Sequence, residues 1–123
     1  MGPILCVDDD PDTCASLSDV LTDLGYRVDV AYDGRSALQL VGENGYAMAL
    51  LDYQMPGMDG LEHYRRIGQI RPALVGVFVT AFTTSGVSQA ALKMGLRSVL
   101  SKPINFGELI PLIEEVIGKP EGS

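Results

Sequence analysis

Residues 47–60 read Ala47-Met48-Ala49-Leu50-Leu51-Asp52-Tyr53-Gln54-Met55-Pro56-Gly57-Met58-Asp59-Gly60. The first five are apolar without interruption, the pattern of a strand buried on both faces inside a parallel sheet. Burial stops abruptly at the carboxylate of Asp52. Met55-Pro56-Gly57 follows, and it cannot continue a strand. Asp52 is therefore expected at the carboxyl end of a central strand, beside a loop. That is the edge at which open α/β sheets bind ligands. Two further apolar runs end at the same edge. Ile4-Leu5-Cys6-Val7 leads into Asp8-Asp9-Asp10, and Val75 to Val79 leads into Thr80.

On either side, short apolar runs alternate with stretches of helical period. The strand candidates are 4–7, 27–31, 47–52, 75–80 and 98–101. Leu17, Val20, Leu21 and Leu24 follow the i, i+3, i+4, i+7 pattern and predict a helix over 11–24 with one apolar stripe. Asp10 can cap it, Pro11 suits its first position, and Gly25 ends it. Asp33-Gly34 opens a second helix to about Asn44, with Ala37, Leu40 and Val41 inward. Asp59-x-x-Glu62 resembles a capping box for a third, from about 60 to 70. Val87, Ala90, Ala91 and Met94 mark a fourth, closed by Gly95. Phe106, Leu109, Ile110 and Ile113 mark a fifth, started by Asn105 and Glu108 and interrupted by Pro111. Five strands alternating with five helices imply parallel neighbours and right-handed crossovers. The expected fold class is α/β, a (βα)5 flavodoxin-like three-layer sandwich with a five-stranded parallel sheet.

The chain has 123 residues, enough for one domain with a sizeable core. No apolar run approaches the roughly 20 residues of a membrane helix, and no signal peptide is visible, so a cytoplasmic location and no membrane contact are expected. Cys6 and Cys14 lack a CxxC spacing and read as two reduced, buried thiols. The net charge of −7 disfavours direct nucleic-acid binding, which needs a basic surface. Arg65-Arg66 and Arg71 form the one local basic cluster, read as a solvated helix face and its exit. Asp8, Asp9, Asp10 and Asp12 repel one another unless a cation or a helix N-terminus offsets them.

In this fold Asp8-Asp9, Asp52, Thr80 and Lys102 all fall at strand ends. Val7-Asp8-Asp9-Asp10, Asp52 through Gly60, Thr80-Ala81 and Lys102-Pro103, in that order, resemble the receiver domain of two-component response regulators, the chemotaxis receiver included. The resemblance covers about residues 3–118. It implies a receiver domain over 1–118 with a flexible tail at 119–123. It implies that Asp52 accepts a phosphoryl group from a histidine kinase or histidine-phosphotransfer protein and forms an acyl phosphate. A dianionic group approaching several carboxylates requires a cation, and Mg²⁺ suits an oxygen donor set. By resemblance, Asp9 and Asp52 are direct ligands, Asp8 acts mainly through water, and the backbone carbonyl of Gln54 completes the set. Lys102 supplies a positive charge and Thr80 a hydroxyl to the phosphoryl group. A cis Lys102–Pro103 bond is implied. So is an output surface on the fourth helix, fifth strand and fifth helix, with a homodimer through the same elements as an option.

Taken singly, several residues carry blander readings. Asp10 and Asp59 read as caps, Asp12 as a first-turn carboxylate facing solvent, and His63 as a lone surface histidine. Two positions depart from the family pattern. Val99 stands three before the lysine, where receivers often carry Tyr or Phe, and Phe82 stands two after Thr80, where many relatives are polar. With Gln54, Phe82 is inferred to flank the path by which water attacks the acyl phosphate. Two rival functions exist. One is a degenerate receiver acting as a phosphate-independent interaction module. The other is a Mg²⁺-dependent aspartyl phosphohydrolase using Asp10-Pro11-Asp12, but Cys14 stands where that family expects Thr or Val, and no substrate-covering domain fits.

Overall fold

The computed structural model describes residues 2–55, 57–81 and 85–119. In chain order the elements are β1 (Ile4–Val7), α1 (Pro11–Asp23), β2 (Val28–Ala31), α2 (Gly34–Glu43), β3 (Met48–Leu51) and β4 (Gln54–Met55). They continue with β5 (Met58–Asp59), α3 (Gly60–Ile70), β6 (Val75–Thr80), α4 (Ser85–Lys93), β7 (Ser98–Ser101) and α5 (Phe106–Ile117). Five strands form one parallel sheet in the order β2-β1-β3-β6-β7. The chain builds outward from β1 in one direction, then reverses and builds outward in the other. That reversal opens a crevice at the carboxyl ends of β1 and β3.

Strand alternation explains the two-sided burial. Ile4 and Cys6 face one layer, where Met48, Leu50, Val77 and Val79 meet Leu17 and Leu21 of α1 and Leu109 and Ile113 of α5. Leu5 and Val7 face the other, where Ala49, Leu51 and Phe78 meet Ala37 and Val41 of α2, Ile67 of α3 and Ala91 of α4. Each central strand thus needs apolar residues at every position, which is why β1 and β3 read as continuous runs. The five-stranded three-layer architecture expected from the sequence is present.

The helix starts follow their caps. Asp10, Asp33, Asp59 and Asn105 each accept a backbone N–H from the first turn of α1, α2, α3 and α5. Gly25 and Gly95 follow the ends of α1 and α4 with φ of 104° and 99°, a region that favours glycine. Glu62 does not complete a capping box by hydrogen-bonding back. Its carboxylate instead engages exposed Arg65 and Arg66.

Two further expectations are corrected. The inward stripe of α1 runs Cys14, Leu17, Leu21, while Leu24 is exposed, because the helix stops at Asp23. Met94 likewise lies past the end of α4 and is exposed. The loop after Asp52 contains a short antiparallel pair, Gln54 with Asp59 and Met55 with Met58. Pro56, Phe82 and the tail 120–123 lie outside the described residues. Among the described residues no helix is long and apolar enough to cross a membrane.

Candidate functional site

Each acidic residue of the site is placed by a strand that has just ended. The N–H of Asp8 donates to the carbonyl of Ala31 (3.1 Å), tying the end of β1 to β2. The N–H of Asp52 donates to the carbonyl of Val7 (3.0 Å), tying the end of β3 to β1. Asp8 and Asp52 are consequently buried, at 3% and 7% exposure, while Asp9 is exposed. Asp8, Asp9 and Asp52 each bring a carboxylate oxygen within 4.8 Å of the others. On the neighbouring strand Thr80 is buried at the end of β6, in register with Ser101. The N–H of Lys102 donates to the Thr80 carbonyl (3.0 Å). The Lys102–Pro103 bond is cis, as the family pattern implies.

Lys102 reaches back across the crevice. Its Nζ lies 2.6 Å from Asp8 Oδ2 and 3.2 Å from Asp52 Oδ2. Burial opposes the charge on Lys102, but the bonds to Asp8 and Asp52 outweigh it and hold the ammonium above its ordinary range. Burial pushes the Asp8 carboxyl above the usual carboxylate range. Hydrogen bonds from Lys102 and from the Asp10 N–H (2.9 Å) pull against that rise. Three carboxylates against one ammonium leave the cluster short of positive charge. The donors are all hard oxygens, the set that suits Mg²⁺ or Ca²⁺ rather than zinc. The residues present therefore fit a hard divalent cation.

The loop after Asp52 is held from two sides. The N–H of Gln54 donates to Asp52 Oδ1 (3.0 Å), and Gln54 pairs with Asp59. Gly60 fits there only because it lacks a side chain. A Cβ on it would come within 2.5 Å of the Tyr53 carbonyl oxygen and 2.8 Å of Tyr53 Cα. Backbone atoms cannot rotate aside, so Gly60→Ala must displace the main chain next to Asp52. We expect a loss of roughly 1–3 kcal/mol in urea unfolding, with amide shifts concentrated at residues 52–54. Unchanged stability and shifts would refute the close approach.

Other sequence expectations divide. Asp10 and Asp59 are caps, Asp12 is exposed in the first turn of α1, and Val99 is half-buried opposite Phe78. His63 is not a surface histidine. It is 0% exposed, packed between α3 and α2, with Nε2 3.2 Å from the Gly34 carbonyl. Its flanking polar residues concealed this, and the signal available was its spacing with the inward Gly60 and Ile67 of α3. The Nε2–H tautomer donates to Gly34 and leaves Nδ1 without a partner among the described residues. Burial pushes the proton affinity of His63 below its ordinary value, against the Gly34 bond and with help from Arg66. A group held neutral by folding stabilises fully above its unfolded pKa and loses that contribution as pH falls below it, from about 6.5 downward. The urea midpoint is expected to drop between pH 7 and pH 5.5, and to drop less in His63→Gln. Equal drops would remove His63 as the cause.

Cys14 is the contact the sequence did not foretell. Its buried Sγ donates to the carbonyl of Asp8 (3.3 Å). Burial, with Asp8 nearby, pushes the thiol up to about 11, so it remains an S–H donor at neutral pH. The 14, 17, 21 spacing was the available signal that Cys14 faces inward.

Comparison with known proteins agrees with this geometry. The transcriptional regulatory protein ZraR of Salmonella typhimurium is 36% identical over 114 residues, 93% of this chain and 26% of that protein. The sensor histidine kinase RcsC of Salmonella typhi is 40% identical over 106 residues, 86% of this chain and 11% of that protein. The chain thus spans about a quarter or less of these curated relatives. The crystal structure of a CheY-like response regulator receiver domain protein from Methanospirillum hungatei JF-1 superposes with a TM-score of 0.88 at 29% identity, covering 94% of this chain and 92% of that one. The family model described as the response regulator receiver domain matches residues 4–114, from the first strand to the last helix. With its parallel sheet and the carboxylates gathered at the ends of β1 and β3, the chain belongs to the response regulator receiver domain family.

Proposed function

We propose that this protein is a signalling phosphoacceptor in which Asp52 takes a phosphoryl group from a histidine kinase or histidine-phosphotransfer protein. A carboxylate oxygen of Asp52 forms the new P–O bond as the bond from phosphorus to the donor breaks. The product is an acyl phosphate, and the donor leaves with the electron pair of the broken bond. The observation that carries this reading is the convergence of Asp8, Asp9, Asp52 and Lys102 on one sheet edge. Asp8, Asp9, Asp52 and the backbone carbonyl of Gln54 would hold Mg²⁺. When bound, the ion neutralises charge between the carboxylates and the incoming phosphoryl oxygens. Lys102 is poised to transfer one of its two carboxylate contacts to a phosphoryl oxygen. Thr80 offers its hydroxyl from the adjacent strand end, and its engagement shifts a pre-existing equilibrium between inactive and active states.

The receiver unit is residues 1–118, with 119–123 as a tail, and its setting is the cytoplasm. The output surface is α4, β7 and α5, on which a homodimer could also form. Direct nucleic-acid binding by this acidic domain is not part of the proposal. The half-buried Val99 cannot act through ring rotation, so readout runs through Thr80 and the loops around it.

Acetyl phosphate with Mg²⁺, followed by intact mass, separates this reading from its rivals. A single stoichiometric phosphoryl adduct is expected. No adduct at any Mg²⁺ concentration would favour a phosphate-independent interaction module. Repeated turnover of a phosphomonoester would favour a phosphohydrolase.

A further inference from the structure

The Asp8–Asp9 peptide leaves β1 at the point where the chain turns toward α1. The carboxylate of Asp8 has partners in Lys102 and the Asp10 N–H. Asp9 has no such support. It is exposed, and among the described residues no hydrogen bond or ion pair holds its carboxylate. The main chain sets where its Cα lies, and hence what its carboxylate can reach. That main chain is gripped from below by the Cys14 thiol, one turn into α1, which donates to the Asp8 carbonyl (3.3 Å). Because a peptide unit is planar, the Asp8 carbonyl moves together with the N–H and Cα of Asp9, so a bond to that carbonyl restrains all of them.

We infer that Cys14 is a positioning residue whose buried thiol, through the Asp8 carbonyl, sets the Asp8–Asp9 peptide plane and so aims the Asp9 carboxylate into the cation site. The inference rests on the function proposed above. Cys14 touches neither the ion nor the phosphoryl group. Its role therefore lies in ion binding and not in the chemical step. Groups that orient a metal ligand from behind commonly change affinity by tenfold or more. A thiol is a weak donor, so a smaller effect is expected here.

The test compares wild type with Cys14→Ala and Cys14→Val, which lack the donor, and Cys14→Ser, which keeps one. Mg²⁺ affinity is measured by calorimetry, independently of any reaction. The acetyl phosphate rate is then measured at limiting and at saturating Mg²⁺. The Ala and Val variants should bind Mg²⁺ roughly fivefold more weakly and reach the wild-type rate at saturation, while Ser stays within about twofold of wild type throughout. A folded Ala or Val variant with wild-type affinity overturns the inference. A Ser variant as weak as Ala also overturns it, because volume and not the hydrogen bond would then matter. Wild type that binds Mg²⁺ and is phosphorylated, beside an unaffected Ala variant, overturns the role of Cys14 alone. Wild type that does neither overturns the proposed function with it.

Discussion

With acetyl phosphate and Mg²⁺, Asp52→Asn should form no phosphoryl adduct. The substitution keeps the shape of the side chain and an Oδ1 able to accept the Gln54 N–H, so the loop after β3 retains its anchor. It removes the anionic oxygen, and an amide is a far weaker nucleophile. A rate loss of roughly 10³-fold or more is expected, the scale seen when a covalent nucleophile is deleted. The fold should survive, because removing one charge eases repulsion with Asp8 and Asp9 while Asp8 keeps Lys102 as its partner. Intact mass of the variant and its urea midpoint test both halves. An adduct formed by the variant in wild-type yield would move the acceptor to another residue.

Lys102→Met should separate ion binding from chemistry. The ammonium sits among the same carboxylates that would hold the ion, 2.6 Å from Asp8 and 3.2 Å from Asp52. Removing a like charge from a cation site strengthens binding of the cation, here by an expected threefold to tenfold, roughly. The phosphoryl group would lose the side-chain cation that Lys102 supplies, and the rate at saturating Mg²⁺ should fall by roughly 10²-fold. Stability should also become dependent on the ion. Without Mg²⁺ two buried carboxylates lose their partner, which lowers the urea midpoint, and added Mg²⁺ restores it. Titration calorimetry, the acetyl phosphate rate and unfolding with and without Mg²⁺ measure the three effects. Weaker Mg²⁺ binding in the variant would show that Lys102 organises the site instead of competing for it.

The fold was legible because its central strands are buried on both faces. Ala47 to Leu51 and Ile4 to Val7 have no polar position to hide, and such runs admit few other placements. The caps were legible because Asp10, Asp33, Asp59 and Asn105 act on neighbours two or three residues away. The convergence of Asp8, Asp9, Asp52 and Lys102 followed once the strand ends were placed, since all four sit at one edge of one sheet. What escaped depends on how segments meet in space, whether near or far apart in the chain. His63 lies on the inward face of α3 with Gly60 and Ile67, and its partner is the Gly34 carbonyl, 29 positions away. The contact between Gly60 and the Tyr53 backbone arises beside a short strand pair, Gln54–Met55 with Met58–Asp59, where the sequence shows only a break. The Cys14 contact with Asp8 joins the first turn of α1 to the end of β1, a pairing that periodicity does not encode.

The acyl phosphate on Asp52 can be located chemically. Borohydride reduces an aspartyl phosphate to homoserine and leaves free carboxylates unchanged. Wild-type protein should be treated with acetyl phosphate in Mg²⁺ or in excess chelator, reduced with borohydride, digested and sequenced by mass spectrometry. Homoserine at position 52 alone, formed with Mg²⁺ and absent with chelator, is the outcome the proposed mechanism requires. Homoserine at Asp8, Asp9 or any other position, or at position 52 in chelator, would contradict it.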